Sequence, residues 1–240
     1  MAARGALMSF KGAKVVALIP ARAGSKGIPY KNLRLFNGES LVQHTINSAL
    51  YCDVIDEIIL SSDSEDILNI GRQMGINIHL RSRSAADDDS TASQVIIDLL
   101  KNGPKSLHSE DAYIVYLQPT SPLRTSNHIS AAFNLMDKKD SNGCVSVCLM
   151  TKSPFKSYIL DSRGRLASLF EEEKTNANRQ SLPKAFYPNG AIYIFLVSEF
   201  LKKESFPTNG AIPFIMSRED SIDIDTEQDL LIAEKLCRQQ

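Results

Sequence analysis

The chain contains no tryptophan, only four cysteines among 240 residues, and no apolar run of the ~20 residues that a membrane helix requires. Cys52, Cys144, Cys148 and Cys237 are too few and too irregularly placed for a secreted disulfide scaffold. Cys144 and Cys148 lie in the apolar segment GCVSVCLM and read as small hydrophobes, which fits a reducing cytoplasm. Neither sign of charge is in surplus: Lys and Arg number 27, Asp and Glu 28, for a net charge of -1. No general attraction to nucleic acid follows, so any anion site must be local. The four histidines never pair at zinc spacing. Neither GxxxxGK[ST] nor GxGxxG occurs, which disfavours a Walker-type ATPase and a Rossmann dinucleotide site. The first residues, MAARGALMSFKGAK, lack an apolar h-region of signal-peptide length. Residues 1–13 read as a flexible leader, with Met8 available as a start, and residues 14–240 as one domain without internal repeats.

Against these absences stands VVALIPARAGSKGIPYKN, Val15 to Asn32. Its first six residues are apolar without inward/outward alternation, the pattern of a parallel strand covered by helices on both faces. Such a strand delivers its C-terminal loop to the ligand edge of an open α/β sheet. In that loop Gly24 and Gly27 permit close backbone approach, so amide N–H groups, Arg22, Lys26 and Lys31 can converge on a polyphosphate. A solvated basic turn after a core strand is the alternative.

The rest of the chain keeps an α/β rhythm. Strands are expected at residues 56–63, 76–80, 112–117 and 143–150, with helices at 41–50, 65–74, 94–101 and 129–137. Beyond the fifth strand the rhythm breaks. Residues 156–170 read as a hairpin about Asp161-Ser162-Arg163-Gly164, followed by the charged, irregular EEEKTNANRQ. This excursion, residues 151–187, carries Tyr158, Ile159, Leu166 and Phe170 and suits either packing on another subunit or a solvated flap. Strands at 190–196 and 212–216, a short helix at 198–203 and a final helix at 227–237 complete the chain. Thr226 and Asp229 stand in capping-box positions for that last helix.

Two further segments carry chemistry. In SIDIDTEQDL, residues two apart in an extended stretch share a face, so Asp223 and Asp225 project together while Ile222 and Ile224 turn inward. Paired carboxylates suit a hard cation such as Mg²⁺, which takes oxygen ligands and keeps water or phosphate in its other positions. A helix cap or a solvated acidic pair is the alternative. In YLQPTSPLRT, two prolines stiffen the exit of a core strand, and Gln118, Thr120 and Ser121 offer groups for hydroxyls or a base edge, with Arg124 available for an ion pair. Jointly, loop cations for a triphosphate, acids for Mg²⁺ and polar groups for an acceptor make a nucleotidyltransferase layout.

ARAGSKGIPYKN, LQPTSPLR, PNGAIYI (Pro188 to Ile194) and IDIDTEQDL occur in the order and approximate spacing of the acylneuraminate cytidylyltransferases, also called CMP-sialic acid synthetases. From Val15 to its C-terminus the chain resembles that family. The resemblance implies a Rossmann-like α/β fold, a mostly parallel central sheet flanked by helices, and a small hairpin excursion used for dimerisation. It also implies Mg²⁺-dependent transfer of CMP from CTP to a nine-carbon 2-keto sugar acid, releasing pyrophosphate, in a cytoplasmic homodimer that serves cell-surface glycan synthesis. Catalytic roles then fall to Arg22, Lys26, Asp223 and Asp225, the two acids also holding the metal. CTP would be bound by Ala21, Arg22, Ala23, Gly24, Ser25, Lys26, Lys31, Asn32 and Arg81, with Arg83 a second choice for reading cytosine. The sugar would meet Gln118, Thr120, Lys156, Arg179, Tyr187, Asn189 and Gly190. RSRSAADDD departs from the family's usual RPxxLAxD, and Tyr187 stands where many bacterial members carry arginine. Sialic, legionaminic and pseudaminic acids therefore all remain candidate substrates. Alternatives are a CMP-Kdo-type cytidylyltransferase and a non-catalytic nucleotide-binding module, the latter opposed by intact Lys26, Asp223 and Asp225.

Overall fold

In the computed structural model, the described residues are 10–24, 27–82, 85, 90–104, 107 and 111–238. The apolar run becomes strand β1 (Val15–Pro20), followed by the small β2 (Leu35–Phe36) and β3 (Glu39–Ser40) pair, helix α1 (Leu41–Leu50), β4 (Glu57–Ser62), α2 (Glu65–Gln73) and β5 (Asn77–Leu80). Next come α3 (Ala92–Asn102), β6 (Tyr113–Tyr116), α4 (Ser126–Lys138), β7 (Gly143–Leu149), the hairpin strands β8 (Tyr158–Leu160) and β9 (Leu166–Ser168), and the short α5 (Glu172–Asn176). The long β10 (Phe186–Leu196), α6 (Val197–Leu201), β11 (Ile212–Ile215) and α7 (Glu227–Cys237) finish the chain.

Seven strands form one sheet in the order β11-β7-β10-β6-β1-β4-β5. All neighbours in it are parallel except β10, which runs antiparallel to both β6 and β7. The sheet is therefore mostly parallel and central, as expected. Strand β1 sits where the winding reverses: the chain proceeds from it to β4 and β5 on one side, then returns to β6 on the other. In open α/β sheets the crevice at such a reversal, beyond the strands' carboxyl ends, is where ligands bind.

The missing alternation in β1 has its reason in two cores. Val15, Ala17 and Ile19 pack with Val42 and Ile46 of α1 and Phe133 of α4 on one face, while Val16 and Leu18 pack with Ile96 and Leu99 of α3 on the other. A third cluster, with Ile28, Phe36, Leu123, Ile224 and Leu230, lies under α7. Polar ends set the helix starts. Thr91 with Gln94 and Thr125 with His128 form capping boxes that begin α3 and α4 two or three residues earlier than apolar spacing predicts. The expected box at Thr226 and Asp229 is present.

The excursion folds as anticipated about Asp161, whose Oδ1 accepts the backbone N–H groups of Arg163 and Arg165 at 2.8 and 2.9 Å. Gly164 takes φ +72°, a left-handed conformation that side chains resist. Tyr158, Ile159, Leu160, Leu166 and Phe170 all remain exposed on this arm. Within the expected leader, Phe10 packs edge-on against Tyr113 and Phe133, and Lys11 pairs with Asp140; residues 1–9 lie outside the described residues. Among the described residues no helix is long and apolar enough to cross a membrane.

Candidate functional site

A cleft of about 430 Å³ opens at the reversal point, lined by residues that follow β1, β5 and β6 and by the segment before α7. It brings together Arg22, Lys31, Asn32, Arg81, Gln118, Thr120, Asp223 and Asp225, which lie in four separate stretches of sequence. Lys31 Nζ meets Asp225 Oδ1 at 2.9 Å, so the basic turn and the paired acids face each other directly.

Tertiary packing aims the acids. Ile224 is fully buried in the cluster under α7, which leaves Asp223 and Asp225 on the cleft side, as the two-residue period requires. The N–H of Ile224 donates to the Thr120 carbonyl at 2.8 Å, fastening this segment to the loop after β6. Asp225 is not the cap of α7; Thr226 takes that place, and Asp229 Oδ2 accepts the N–H groups of Asp225 and Thr226 at 3.2 and 2.7 Å. Burial raises the Asp223 pKa above the ordinary carboxylate value, the Thr120 hydroxyl opposes the rise, and the nearby Asp225 charge adds to it. Two close carboxylates, one of them short of compensation, are a donor set that a divalent cation fits. Among the described residues no third His, Cys, Asp or Glu joins them at metal-binding distance.

The described residues flanking Ser25 and Lys26 after β1 are hydrogen-bonded to neighbouring segments. Ala21 N–H donates to the Ser61 carbonyl at 2.9 Å, Ala23 N–H to Asp63 Oδ1 at 2.9 Å, and Asn32 Nδ2 to the Arg22 carbonyl at 2.8 Å. The amides of Ala21 and Ala23, two residues expected to bind CTP, are thus engaged within the protein. Gly27 is needed for a reason other than phosphate access: a Cβ there would lie 2.3 Å from the Asp225 carbonyl oxygen. The close backbone approach is between the turn and the acidic segment. Gly24 is exposed, while Ser25, Lys26 and Arg83 lie outside the described residues.

Arg81, at the exit of β5, is buried at the cleft wall with Nε 3.1 Å from Ser61 Oγ and Nη2 3.0 Å from the Ser61 carbonyl. Burial lowers its pKa from the usual guanidinium value. Neither Ser61 nor Asp63 stood out in the sequence as a site residue. The signal was there: the polar SSD ending β4 lies on the same sheet edge as the end of β1, its parallel neighbour.

After β6, Gln118 and Thr120 face the cleft, but Ser121 and Arg124 do not. Ser121 is fully buried, and Arg124, expected to be free for an ion pair, donates Nη1 to the carbonyls of Gln118 at 3.0 Å and Ala191 at 3.2 Å. A guanidinium has only donors, and here they brace the loop from behind. Asn189 is also turned inward. Its Nδ2 donates to Ser221 Oγ at 2.8 Å, and its Oδ1 accepts from Ser146 Oγ at 2.6 Å. It joins β7, β10 and the acidic segment and is not part of the cleft lining. Gly190, at φ +77°, leaves room for Gln118, whose Oε1 would lie 2.6 Å from a Cβ. Lys156, Arg179 and Tyr187 are exposed on the excursion side, away from the cleft lining, and Arg179 donates to the Thr151 carbonyl.

The chain is 33% identical over 220 residues to an N-acylneuraminate cytidylyltransferase of Streptococcus agalactiae, a match covering 91% of this chain and 52% of that protein. It therefore spans about half the length of such curated relatives. A CMP-N,N'-diacetyllegionaminic acid synthase of Legionella pneumophila is 36% identical over 227 residues, 93% of this chain and 96% of its own. A pseudaminic acid cytidylyltransferase of Campylobacter jejuni is 28% identical over 229 residues, 94% of this chain and 97% of its own. A solved CMP:2-keto-3-deoxy-manno-octonic acid synthetase in complex with CTP superposes with a TM-score of 0.67 at 16% identity, covering 95% of this chain and 99% of that one, a likeness of fold. Residues 16–208 match the family described as Cytidylyltransferase, and the chain belongs to that family.

Proposed function

We propose that this chain transfers CMP from CTP to the anomeric hydroxyl of a nine-carbon 2-keto sugar acid, releasing pyrophosphate. The observation that supports this reading is the ion pair of Lys31 with Asp225 at 2.9 Å, which joins a cation suited to phosphate and the paired carboxylates in one cleft. Full-length similarity to the Legionella and Campylobacter proteins, whose names specify nonulosonic acids, supports the acceptor class.

In this reading Arg22 and Lys31, with Lys26 from the same turn, neutralise the triphosphate and the charge gathering on departing pyrophosphate. Arg81 meets the cytosine edge. Gln118 and Thr120 orient the sugar so that its anomeric oxygen approaches the α-phosphorus in line with the leaving group. The P–O bond to pyrophosphate breaks as the new P–O bond forms, and the hydroxyl proton passes to solvent. Asp223 and Asp225 would hold Mg²⁺, which when bound supplies Lewis-acid polarisation of a phosphoryl oxygen and lowers the pKa of a nearby hydroxyl. Lys156 and Arg179 on the excursion and Tyr187 at the start of β10 would reach a sugar carboxylate in the cleft of a second copy, since they are not among the residues lining the cleft of their own chain. The apolar outer face of β8 and β9 supports that dimer. Four free cysteines suit a reducing compartment.

The test is pyrophosphate release with CTP and Mg²⁺ across sialic, legionaminic, pseudaminic and Kdo acids. Release is expected with one or more of the three nine-carbon acids, abolished by EDTA and restored by Mg²⁺. Turnover confined to Kdo, or equal turnover with UTP, overturns the assignment.

A further inference from the structure

Behind Arg81 lies a line of buried polar groups that the transfer chemistry does not use. His79 on β5 and Asp98 on α3 are both buried, and they lie on either side of the segment that Arg81 begins. His79 Nδ1 is 3.1 Å from Ser61 Oγ, and the same oxygen is 3.1 Å from Arg81 Nε. His79 Nε2 is buried without a hydrogen-bond partner among the described residues, facing Asp98 Oδ2 at 3.6 Å. Asp98 in turn accepts the Ser82 N–H at 3.0 Å and Asn102 Nδ2 at 2.8 Å.

The direction of this line follows from what each group can donate. Arg81 has only N–H donors, so Ser61 Oγ is its acceptor. The Asp98 carboxylate facing Nε2 favours the tautomer with its proton there, which leaves the Nδ1 lone pair to accept the Ser61 hydroxyl. A neutral imidazole with Nδ1 bare has its proton on Nε2, the atom that faces the Asp98 carboxylate. The opposite tautomer would turn the Nε2 lone pair toward that carboxylate and leave the Ser61 proton without this acceptor. Burial, opposed by Asp98 and aided by Arg81, also lowers the His79 pKa and keeps the ring neutral.

We infer that Ser61, hydrogen-bonded to both Arg81 and His79, and Asp98, which faces the far side of the imidazole as a charge, form a line of fixed polarity that positions the Arg81 guanidinium and so sets the preference for cytosine over uracil. The inference rests on the proposed reading, in which Arg81 meets the base. Cytosine N3 is an acceptor, whereas uracil N3 carries a hydrogen. A guanidinium edge held in place can donate to O2 and N3 of cytosine but would oppose the N3–H of uracil. A guanidinium free to pivot could avoid that opposition by bonding only to O2, which both bases share. His79 and Asp98 are thus positioning residues for specificity, acting two and three groups away from the nucleotide.

The test compares kcat/KM for CTP and UTP in His79→Gln, His79→Asn and Ser61→Ala. Asparagine can place its Oδ1 where Nδ1 stood and still accept from Ser61; glutamine places its amide nearer the Nε2 position. His79→Gln and Ser61→Ala are expected to lower the CTP/UTP ratio about tenfold, as loss of one hydrogen bond to a charged group allows, through KM for CTP with kcat within about twofold. His79→Asn should retain the ratio to within about threefold, and the Gln/Ala double variant should lose no more than either single one. Folded His79→Gln with an unchanged ratio overturns the line, as does equal loss in His79→Asn. If His79→Gln does not fold by circular dichroism, Ser61→Ala, which removes one oxygen, decides alone. Wild-type protein that neither turns over nor binds CTP by calorimetry overturns the reading of the cleft and the line with it. CTP-selective wild type whose folded variants stay selective overturns the line alone.

Discussion

In the cleft, groups are held by partners within the chain: Arg81 rests on Ser61 and the loop after β6 on Arg124 from behind, and Lys31 pairs with Asp225 across the cleft. In the arm of β8 and β9 the arrangement is reversed, with Leu160 and Leu166 turned outward at 68% and 70% exposure. The cleft is a preorganised polar surface within one chain. The arm presents an apolar surface that is left exposed in the single chain. Substitutions in the first should therefore change turnover with little change in assembly, and substitutions in the second should change assembly first, with turnover following only as the groups supplied by a second copy are lost.

The largest effect should come from Asp225→Asn, which removes a cleft charge without altering shape. Pyrophosphate release is expected to fall by about 10²–10³-fold with an unchanged circular dichroism spectrum; near-normal turnover would remove Asp225 from the mechanism. Ile224→Ala, beneath the two acids, should cost about 2–5 kcal/mol in a urea titration, because the cluster under α7 cannot refill the space of a fully buried side chain. It should also lower kcat, since Ile224 sets the direction of its neighbours. Gly27→Ala forces a Cβ against the Asp225 carbonyl and should destabilise by about 1–3 kcal/mol in thermal melting, with weaker CTP binding. A melting point equal to wild type would mean that the turn can move away freely.

The arm predicts a different signature. Leu160→Asp with Leu166→Asp should leave the fold and the melting of a monomer intact while shifting sedimentation from dimer to monomer. Wild-type protein that already sediments as a monomer at micromolar concentration would refute the arm as an interface. Lys11→Ala should have the smallest effect, no measurable change in melting point, because its partner Asp140 is almost wholly exposed and solvent screens the pair.

Legibility in the sequence divides along the same physical line. Strand β1, the hairpin turn at Asp161 and the paired acids were readable because each depends on local rules: an unbroken apolar run, turn-forming residues and a two-residue period. The early starts of α3 and α4 were also written locally, in Thr91 with Gln94 and Thr125 with His128, but apolar spacing alone passed over them. By contrast, the inward turn of Arg124 and Asn189 was not readable. A polar side chain after a strand can face a ligand or brace a loop, and the choice depends on which carbonyls and hydroxyls distant segments bring near it. The antiparallel direction of β10 inside a parallel sheet is equally a matter of partners, since a strand's apolar pattern does not encode its direction.

By itself, then, the sequence determined the alternation of strands and helices, the sheet edge at which a basic turn would emerge, and the common face of Asp223 and Asp225. Local sterics and apolar periodicity suffice for these. Only the tertiary structure decided that the turn meets the acids through Lys31, that Gly27 serves the backbone contact between them, and that Ser61 and His79 stand behind Arg81. Each joins residues far apart along the chain, and their separation in space is set by how helices and strands pack, which no local rule contains.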